Sequence, residues 1–209
     1  MEREVRNLVF LTKHSSLINY TSRAVREPLC KPQYPNTQYS ILNTQYFQMN
    51  FTDLQLHPTI LQALKDMKFE EPTEIQKQAI PIVLVRKDVL GCAQTGTGKT
   101  AAFVLPILHQ IITLIEDKTI SKKELKCMII APTRELAIQI DQFIEEVCKY
   151  SNVRHAVIYG GVDLDQQINL LKKIHPQILV TTPGRFLDIY GYKFLTLKHL
   201  KFLVLDEAD

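Results

Sequence analysis

"VLGCAQTGTGKT", Val89 to Thr100, is the stretch from which the rest of the chain can be read. A short apolar run, Val89–Cys92, leads into the glycine-bearing turn Ala93–Gly98 and then into Lys99-Thr100 at the head of an apolar helical stretch. Strand, glycine loop, lysine, hydroxyl and helix in that order form a cradle for phosphate. Gly96 and Gly98 let the backbone curl so that successive N–H groups point at phosphate oxygens. The helix that follows turns the positive end of its dipole toward the same anion. Lys99 can reach the β- and γ-phosphates, and the Thr100 hydroxyl can ligate Mg²⁺. The expected nucleotide contacts are Ala93, Gln94, Thr95, Gly96, Thr97, Gly98, Lys99 and Thr100, with Ala93 where the general pattern has glycine.

Outward from this loop, short β-branched runs alternate with amphipathic helical patterns. The strands are read at Val89–Cys92, Met128–Ala131, Ala156–Tyr159, Ile178–Thr181 and Phe202–Leu205. Between them Leu136, Ile140, Phe143 and Val147 share one helical face. Upstream, Ile60, Leu61, Leu64 and Met67 fall at helical spacing, and a second short helix is read from Thr73 to about Leu84. The alternation predicts an α/β fold, a mostly parallel sheet covered by helices on both faces. Ligands of such sheets bind at the carboxyl ends of the strands.

Residues 1–48 read differently. They hold three prolines and no glycine, repeat Asn-Thr-Gln-Tyr at 36–39 and 43–46, and keep neither a helical nor a strand period. A largely disordered arm is the expectation there, with one ordered domain from 49 to 209. The arm carries the whole net charge of +3, so the remainder is neutral and any nucleic-acid site must be local. Apolar content of 45% and charged content of 22% suit a soluble globular chain. Its four cysteines show no C-x-x-C pair and no zinc spacing, which fits a reduced, cytoplasmic protein. Ala101–Ile115, the longest apolar stretch, is interrupted by polar residues and falls short of the roughly 18 needed to span a membrane.

A second group of chemically active residues closes the chain. Phe202–Leu205 is an apolar strand, and Asp206-Glu207-Ala208-Asp209 follows it. An acid at a strand end beside a phosphate loop can hold a metal, here Asp206, and Glu207 is placed to polarise an attacking water. Lys99, Asp206 and Glu207 are the candidate catalytic residues; Thr100 and Asp206 are the candidate metal ligands.

Taken in order, Ala93–Thr100, Pro132-Thr133-Arg134-Glu135-Leu136-Ala137, Thr182-Pro183-Gly184-Arg185 and Asp206–Asp209 resemble the DEAD-box ATP-dependent RNA helicases, bacterial members most of all. Ala93 is that family's own variant. The resemblance runs from Phe51 to Asp209 and implies the first RecA-like domain of such an enzyme, with ATP and Mg²⁺ as cofactors and RNA as partner. It also implies an adenine-sensing segment in Phe69, Thr73 and Gln76, with a lone upstream aromatic at Phe51. A Gln amide offers one donor and one acceptor to the adenine edge. Lys68 stands where the family usually has glycine.

RNA-backbone contacts are implied for Pro132, Thr133, Arg134, Gly160, Gly161, Thr182, Pro183, Gly184 and Arg185. Helix N-termini and cations suit phosphate, and such contacts carry little sequence preference. Helix capping accounts for Thr133 and Thr182 about equally well. The family continues beyond its acidic motif with a further strand, a linker and a second RecA-like domain. The chain is therefore expected to be a truncated domain, with an open slot between the phosphate-loop strand and the acidic strand. By itself it is expected to show no unwinding and negligible RNA-stimulated ATP hydrolysis. Met49 resembles the start of a bacterial member, so residues 1–48 are expected to be an extension or an upstream start. The competing functions are an ATP- or RNA-binding module without turnover and another phosphate-loop ATPase such as a DNA translocase. Stimulation of hydrolysis by RNA, by DNA or by neither separates them.

Overall fold

The computed structural model describes the backbone of 6–12 and residues 49–94, 96–119, 124–192 and 195–207. Its strands are β1 (Arg6–Thr12), β2 (Val89–Ala93), β3 (Cys127–Ile130), β4 (His155–Ile158), β5 (Ile178–Thr181) and β6 (Phe202–Asp206). The helices are α1 (Pro58–Asp66), α2 (Glu74–Leu84), α3 (Lys99–Glu116), α4 (Arg134–Cys148), α5 (Leu164–Ile174) and α6 (Pro183–Tyr190), preceded by a 3-10 turn at Phe51–Leu54. The strands form one sheet in the order β2-β1-β6-β3-β5-β4, and every neighbouring pair is parallel. The α/β fold expected from the strand–helix alternation is the one observed, and the five expected strands fall within one residue of their observed ends.

Period-two alternation divides each apolar run between two layers. Cys127, Ile129, Ile178 and Val180 join α1 to α4 in the larger core, whereas Met128 and Leu179 join Ile168, Leu171 and Ile189 of α5 and α6 in the smaller one. This is why the strands read as continuous hydrophobic stretches: both faces are covered. At 18 residues, α3 is longer than its interrupted apolar run suggested, and by length and composition alone it could cross a bilayer. Here it is the central core helix, with Phe103, Leu105, Leu108 and Ile111 fully buried.

Within residues 1–48, expected to be a largely disordered arm, one short segment is ordered, and the slot between the phosphate-loop strand and the acidic strand, expected to be open, is filled. Residues 6–12 form a strand in that slot, with Leu8 paired to Val89 on one side and to Val204 on the other. Leu8-Val9-Phe10-Leu11 is a continuous apolar run of the kind found in strands covered on both faces. Four residues with no alternation give no period to detect, and both partners lie far away in sequence. Residues 1–5 and 13–48 lie outside the described residues, so the expectation for them is not addressed.

Candidate nucleotide site and nucleic-acid face

The loop between β2 and α3 has the conformation that its glycines permit. Gly96 has φ of +80° and Gly98 of +86°, both in the left-handed region. Gly98 ends the loop as the N-cap of α3, and its carbonyl accepts from the Ala102 N–H at 3.1 Å to start the helix. The Thr97 hydroxyl donates to the Gln94 carbonyl at 2.7 Å and pins the turn. Lys99 opens α3 with only 8% of its surface exposed, and Thr100 beside it is half-buried. Thr95 lies outside the described residues.

Gln76 braces this loop. Its Oε1 accepts from the Thr73 N–H at 2.9 Å, which settles which end of the amide is oxygen, and its Nε2 donates to the Gly98 carbonyl at 3.1 Å. At 2% exposure the amide is buried between the start of α2 and the phosphate loop. The expected adenine-reading edge is thus directed at Gly98. One amide hydrogen and one lone pair stay beyond these two bonds. A Cβ on Gly98 would lie 2.3 Å from that same Nε2, so any side chain there must displace the amide from its two hydrogen bonds.

Phe69 and Phe51 come together as the resemblance implied, with ring centroids 6.2 Å apart. Phe51 is buried and Phe69 is partly exposed beside Phe143 of α4, at 6.1 Å. They border an open cavity of about 650 Å³ that Pro58, Leu61, Lys65 and Lys68 also line. Lys68 adopts φ of +58°. It follows the last turn of α1 with the Lys68 N–H bonded to the Lys65 carbonyl and the Phe69 N–H to the Leu64 carbonyl, a Schellman ending. That is a physical reason for glycine at this place: lysine there carries left-handed strain.

Asp206 ends β6 at 5% exposure, and its Oδ1 has no hydrogen-bond partner. Burial pushes the carboxyl up to about 6. The Lys99 ammonium pulls it down, the Glu207 charge raises it, and the Glu207 N–H lowers it again. The Lys99 effect places the loop lysine and the strand-end acid in one electrostatic neighbourhood. Glu207 takes φ of +51°, so the chain turns sharply at the strand end. Ala208 and Asp209 lie outside the described residues. Among the described residues no three His, Cys, Asp or Glu side chains gather to hold a metal. An orphaned buried carboxylate oxygen within the field of the loop lysine still fits Mg²⁺, which takes one or two protein oxygens and fills its sphere with water and phosphate.

The second group forms at the same sheet edge. Thr133 caps α4 through its Oγ1, which accepts from the Leu136 N–H at 3.2 Å. Arg134 is exposed, with its guanidinium 5.0 Å from the centre of the Tyr159 ring. A Cβ on Gly161, which has φ of +84°, would meet the same guanidinium at 3.7 Å. Arg134, Tyr159 and the Gly160-Gly161 pair therefore share one surface. Thr182 caps α6 by position, without a side-chain cap bond, and Pro183 and Gly184 are exposed in its first turn. Pro132 is exposed between β3 and α4.

Arg185 departs from its expected role as a phosphate receptor. It is buried at 7% exposure, and its guanidinium donates to the Val162 carbonyl at 2.8 Å and to Gln167 Oε1 at 3.0 Å. Gln167, also buried, donates in turn to the Tyr159 carbonyl at 3.3 Å. Arg185 and Gln167 form a clamp that holds the glycine loop from beneath. An arginine two residues after a helix N-cap reads as a phosphate contact in sequence; its inward turn follows from carbonyls that only the fold brings near. Gln167 and Tyr159 went unnoticed in the sequence. Their only signal was a glutamine on the apolar face of an amphipathic helix and an aromatic residue before a glycine pair.

Residues 73–209 match the family described as DEAD/DEAH box helicase. The chain is 49% identical over 161 residues to the ATP-dependent RNA helicase CshA of Limosilactobacillus reuteri, a match covering 77% of this chain and 31% of that protein. It is 48% identical over 159 residues to the DEAD-box ATP-dependent RNA helicase CshA of Bacillus cereus (76% and 29% covered). For the ATP-dependent RNA helicase CshA of Listeria monocytogenes the identity is 46% over 159 residues, with the same coverage. The chain thus spans about three-tenths of the length of the curated relatives it matches. With its phosphate loop, its strand-end acid and a family match over most of its length, this chain belongs to the DEAD/DEAH box helicase family.

Proposed function

We propose that this chain binds Mg-ATP between the phosphate loop and Asp206 and holds RNA backbone across the N-termini of α4 and α6. In the whole protein it would couple ATP hydrolysis to the remodelling of RNA duplexes. The observation that carries the reading is Asp206: a buried carboxylate with an orphaned oxygen at the strand end, within the field of the loop lysine. A buried carboxylate oxygen without a partner calls for one, and beside a phosphate loop a cation is the partner that fits.

The residues divide the work. Loop N–H groups and Lys99 receive the phosphates, and Gln76 keeps Gly98 in the conformation that aims them. Thr100 and Asp206 would hold Mg²⁺, which neutralises charge building on the phosphoryl oxygens. Glu207 would orient the attacking water. Phe69 and Phe51 offer apolar surface for the base. Thr133, Arg134, Gly160, Gly161, Thr182, Pro183 and Gly184 supply an exposed rim for phosphates and sugars, and Arg185 supports it from within. Contacts of that kind imply little sequence preference and a steep salt dependence. We infer a reducing, cytoplasmic setting, in keeping with the buried thiols Cys127 and Cys148.

The test is ATP hydrolysis with no nucleic acid, with RNA and with DNA, on this chain and on a protein of the relatives' full length. Stimulation by RNA alone in the longer protein supports the reading. Equal stimulation by DNA would favour a translocase, and tight ATP or RNA binding without turnover at either length would favour a binding module.

A further inference from the structure

Tyr159 stands half-buried directly after β4, on the face proposed for nucleic acid, and has no part yet in that reading. Its backbone is anchored, since its carbonyl accepts from the buried Gln167 amide at 3.3 Å. Arg134 is anchored too, as the first residue of α4 behind the Thr133 cap. The strand β5 lies between β3 and β4. Neighbouring strands are about 4.8 Å apart, so residues that follow β3 and β4 start about 10 Å from each other. The Arg134 side chain crosses that gap and brings its guanidinium to 5.0 Å from the centre of the Tyr159 ring. A Cβ on Gly161 would meet Nη1 at 3.7 Å, so the guanidinium rests beside both the ring and the glycine loop.

An exposed arginine gives up rotamer freedom when it takes hold of an anion. A carboxylate could fix it beforehand, but it would cancel the charge and compete with the incoming phosphate. Among the described residues no carboxylate pairs with Arg134. An aromatic ring holds a guanidinium through its quadrupole and leaves the full positive charge in place. The N-terminus of α4 adds the positive end of its dipole beside that charge. Aromatic rings on RNA-binding surfaces also serve as platforms for unstacked bases. Tyr159 is poorly placed for that, because the guanidinium already covers a face of a half-buried ring.

We propose that Tyr159 is a positioning residue for phosphate capture: its ring holds the Arg134 guanidinium ready for the RNA backbone with its charge uncancelled, and it does not stack on bases. The ligand rests on the RNA reading proposed above; the contact between Arg134 and Tyr159 does not.

The test uses the full 209-residue chain. Without RNA, the ring current should shift the Arg134 side-chain protons upfield in NMR spectra of the parent and of Tyr159→Phe, and the shift should vanish in Tyr159→Leu. In fluorescence anisotropy, Tyr159→Leu should weaken binding of a uridine tract and an adenosine tract alike, by about fivefold, while Tyr159→Phe stays within about twofold of the parent. Arg134→Ala should lower the slope of log affinity against log salt by about 0.7. In that background Tyr159→Leu should cost less than about twofold, because the group it positions is gone. Arg134→Lys keeps the charge and loses the planar contact, so it should weaken RNA by about threefold even if Tyr159→Leu fails to fold. Absence of the ring-current shift in the parent would sink the proposal, as would full affinity in Arg134→Lys. A full fivefold loss on top of Arg134→Ala, or a loss confined to the adenosine tract, would assign the ring to base stacking instead. Tyr159→Phe as weak as Tyr159→Leu would move the role to the hydroxyl and overturn it. A parent that shows the ring-current shift but binds no RNA would defeat the RNA reading and the phosphate role together, leaving the contact standing.

Discussion

The proposed nucleotide side and the proposed nucleic-acid side of this sheet edge are built on opposite plans. On the first, Gln76, Lys99 and Asp206 are polar or charged and buried. On the second, Thr133, Arg134, Gly160, Gly161, Pro183 and Gly184 are exposed, and the buried polar groups Gln167 and Arg185 lie beneath them. A compact polyanion can be enclosed, so its receptors are held in advance by low-dielectric surroundings that strengthen each contact. A long backbone ligand must slide in from the side, so its receptors stay at the rim and their order comes from the layer below.

That contrast can be broken by substitution. The largest effect is expected at Gly98. Alanine there must hold a left-handed φ and displace the Gln76 amide, which its Cβ would meet at 2.3 Å. Binding of a fluorescent ATP analogue should weaken by about 100-fold, near 2.7 kcal/mol. Gly96 has the same strain but open space around it, so Gly96→Ala should cost about tenfold. Equal losses at the two positions would refute the bracing role of Gln76.

Asp206 should produce the next largest change. Its folded value of about 6 lies above the ordinary 3.8, so the native state resists ionisation that the unfolded chain allows. In metal-free buffer the chain should lose stability as pH rises from about 4 to about 6, by about 3 kcal/mol, with no further loss above that. Asp206→Asn should remove this slope and raise the thermal midpoint at pH 8. A mutant as pH-dependent as the parent, by thermal unfolding, would show that another group carries the effect.

On the other side, Gln167→Ala removes one of the two hydrogen bonds of the buried Arg185 guanidinium and the donor to the Tyr159 carbonyl. It should destabilise the chain by about 2 kcal/mol in urea unfolding. RNA affinity, read by fluorescence anisotropy, should fall while ATP-analogue affinity holds, because the clamp supports only the glycine loop. Loss of both would join two regions that the structure keeps apart. The smallest effect belongs to Lys68→Gly. Relief of the left-handed strain should add about 0.5–1 kcal/mol to stability, part of it lost to the freer unfolded chain.

Much of this was legible in the residues. The phosphate loop is a local device: a strand end, two glycines and a helix start lie within twelve residues, so chemistry and geometry are read together at Val89–Thr100. The same holds for Thr133 as a helix cap and for the strand before Asp206. Roles that depend on distant partners were not legible. Arg185 looks outward in sequence and turns inward in the fold because the Val162 carbonyl and Gln167 await it. Gln76 looks like a base-reading amide and is found bonded to a loop 22 residues away.

The α/β class, five of the strands, the phosphate loop and the identity of the acid facing it follow from local pattern alone, since periodicity, glycine content and residue order are properties of neighbours. The order of the strands does not. Residues 6–12 have four apolar positions and no period, and only the two long-range ladders with Val89–Ala93 and Phe202–Asp206 make a strand of them. Backbone groups there are satisfied by partners about 80 and 200 residues away, and no local signal carries that distance.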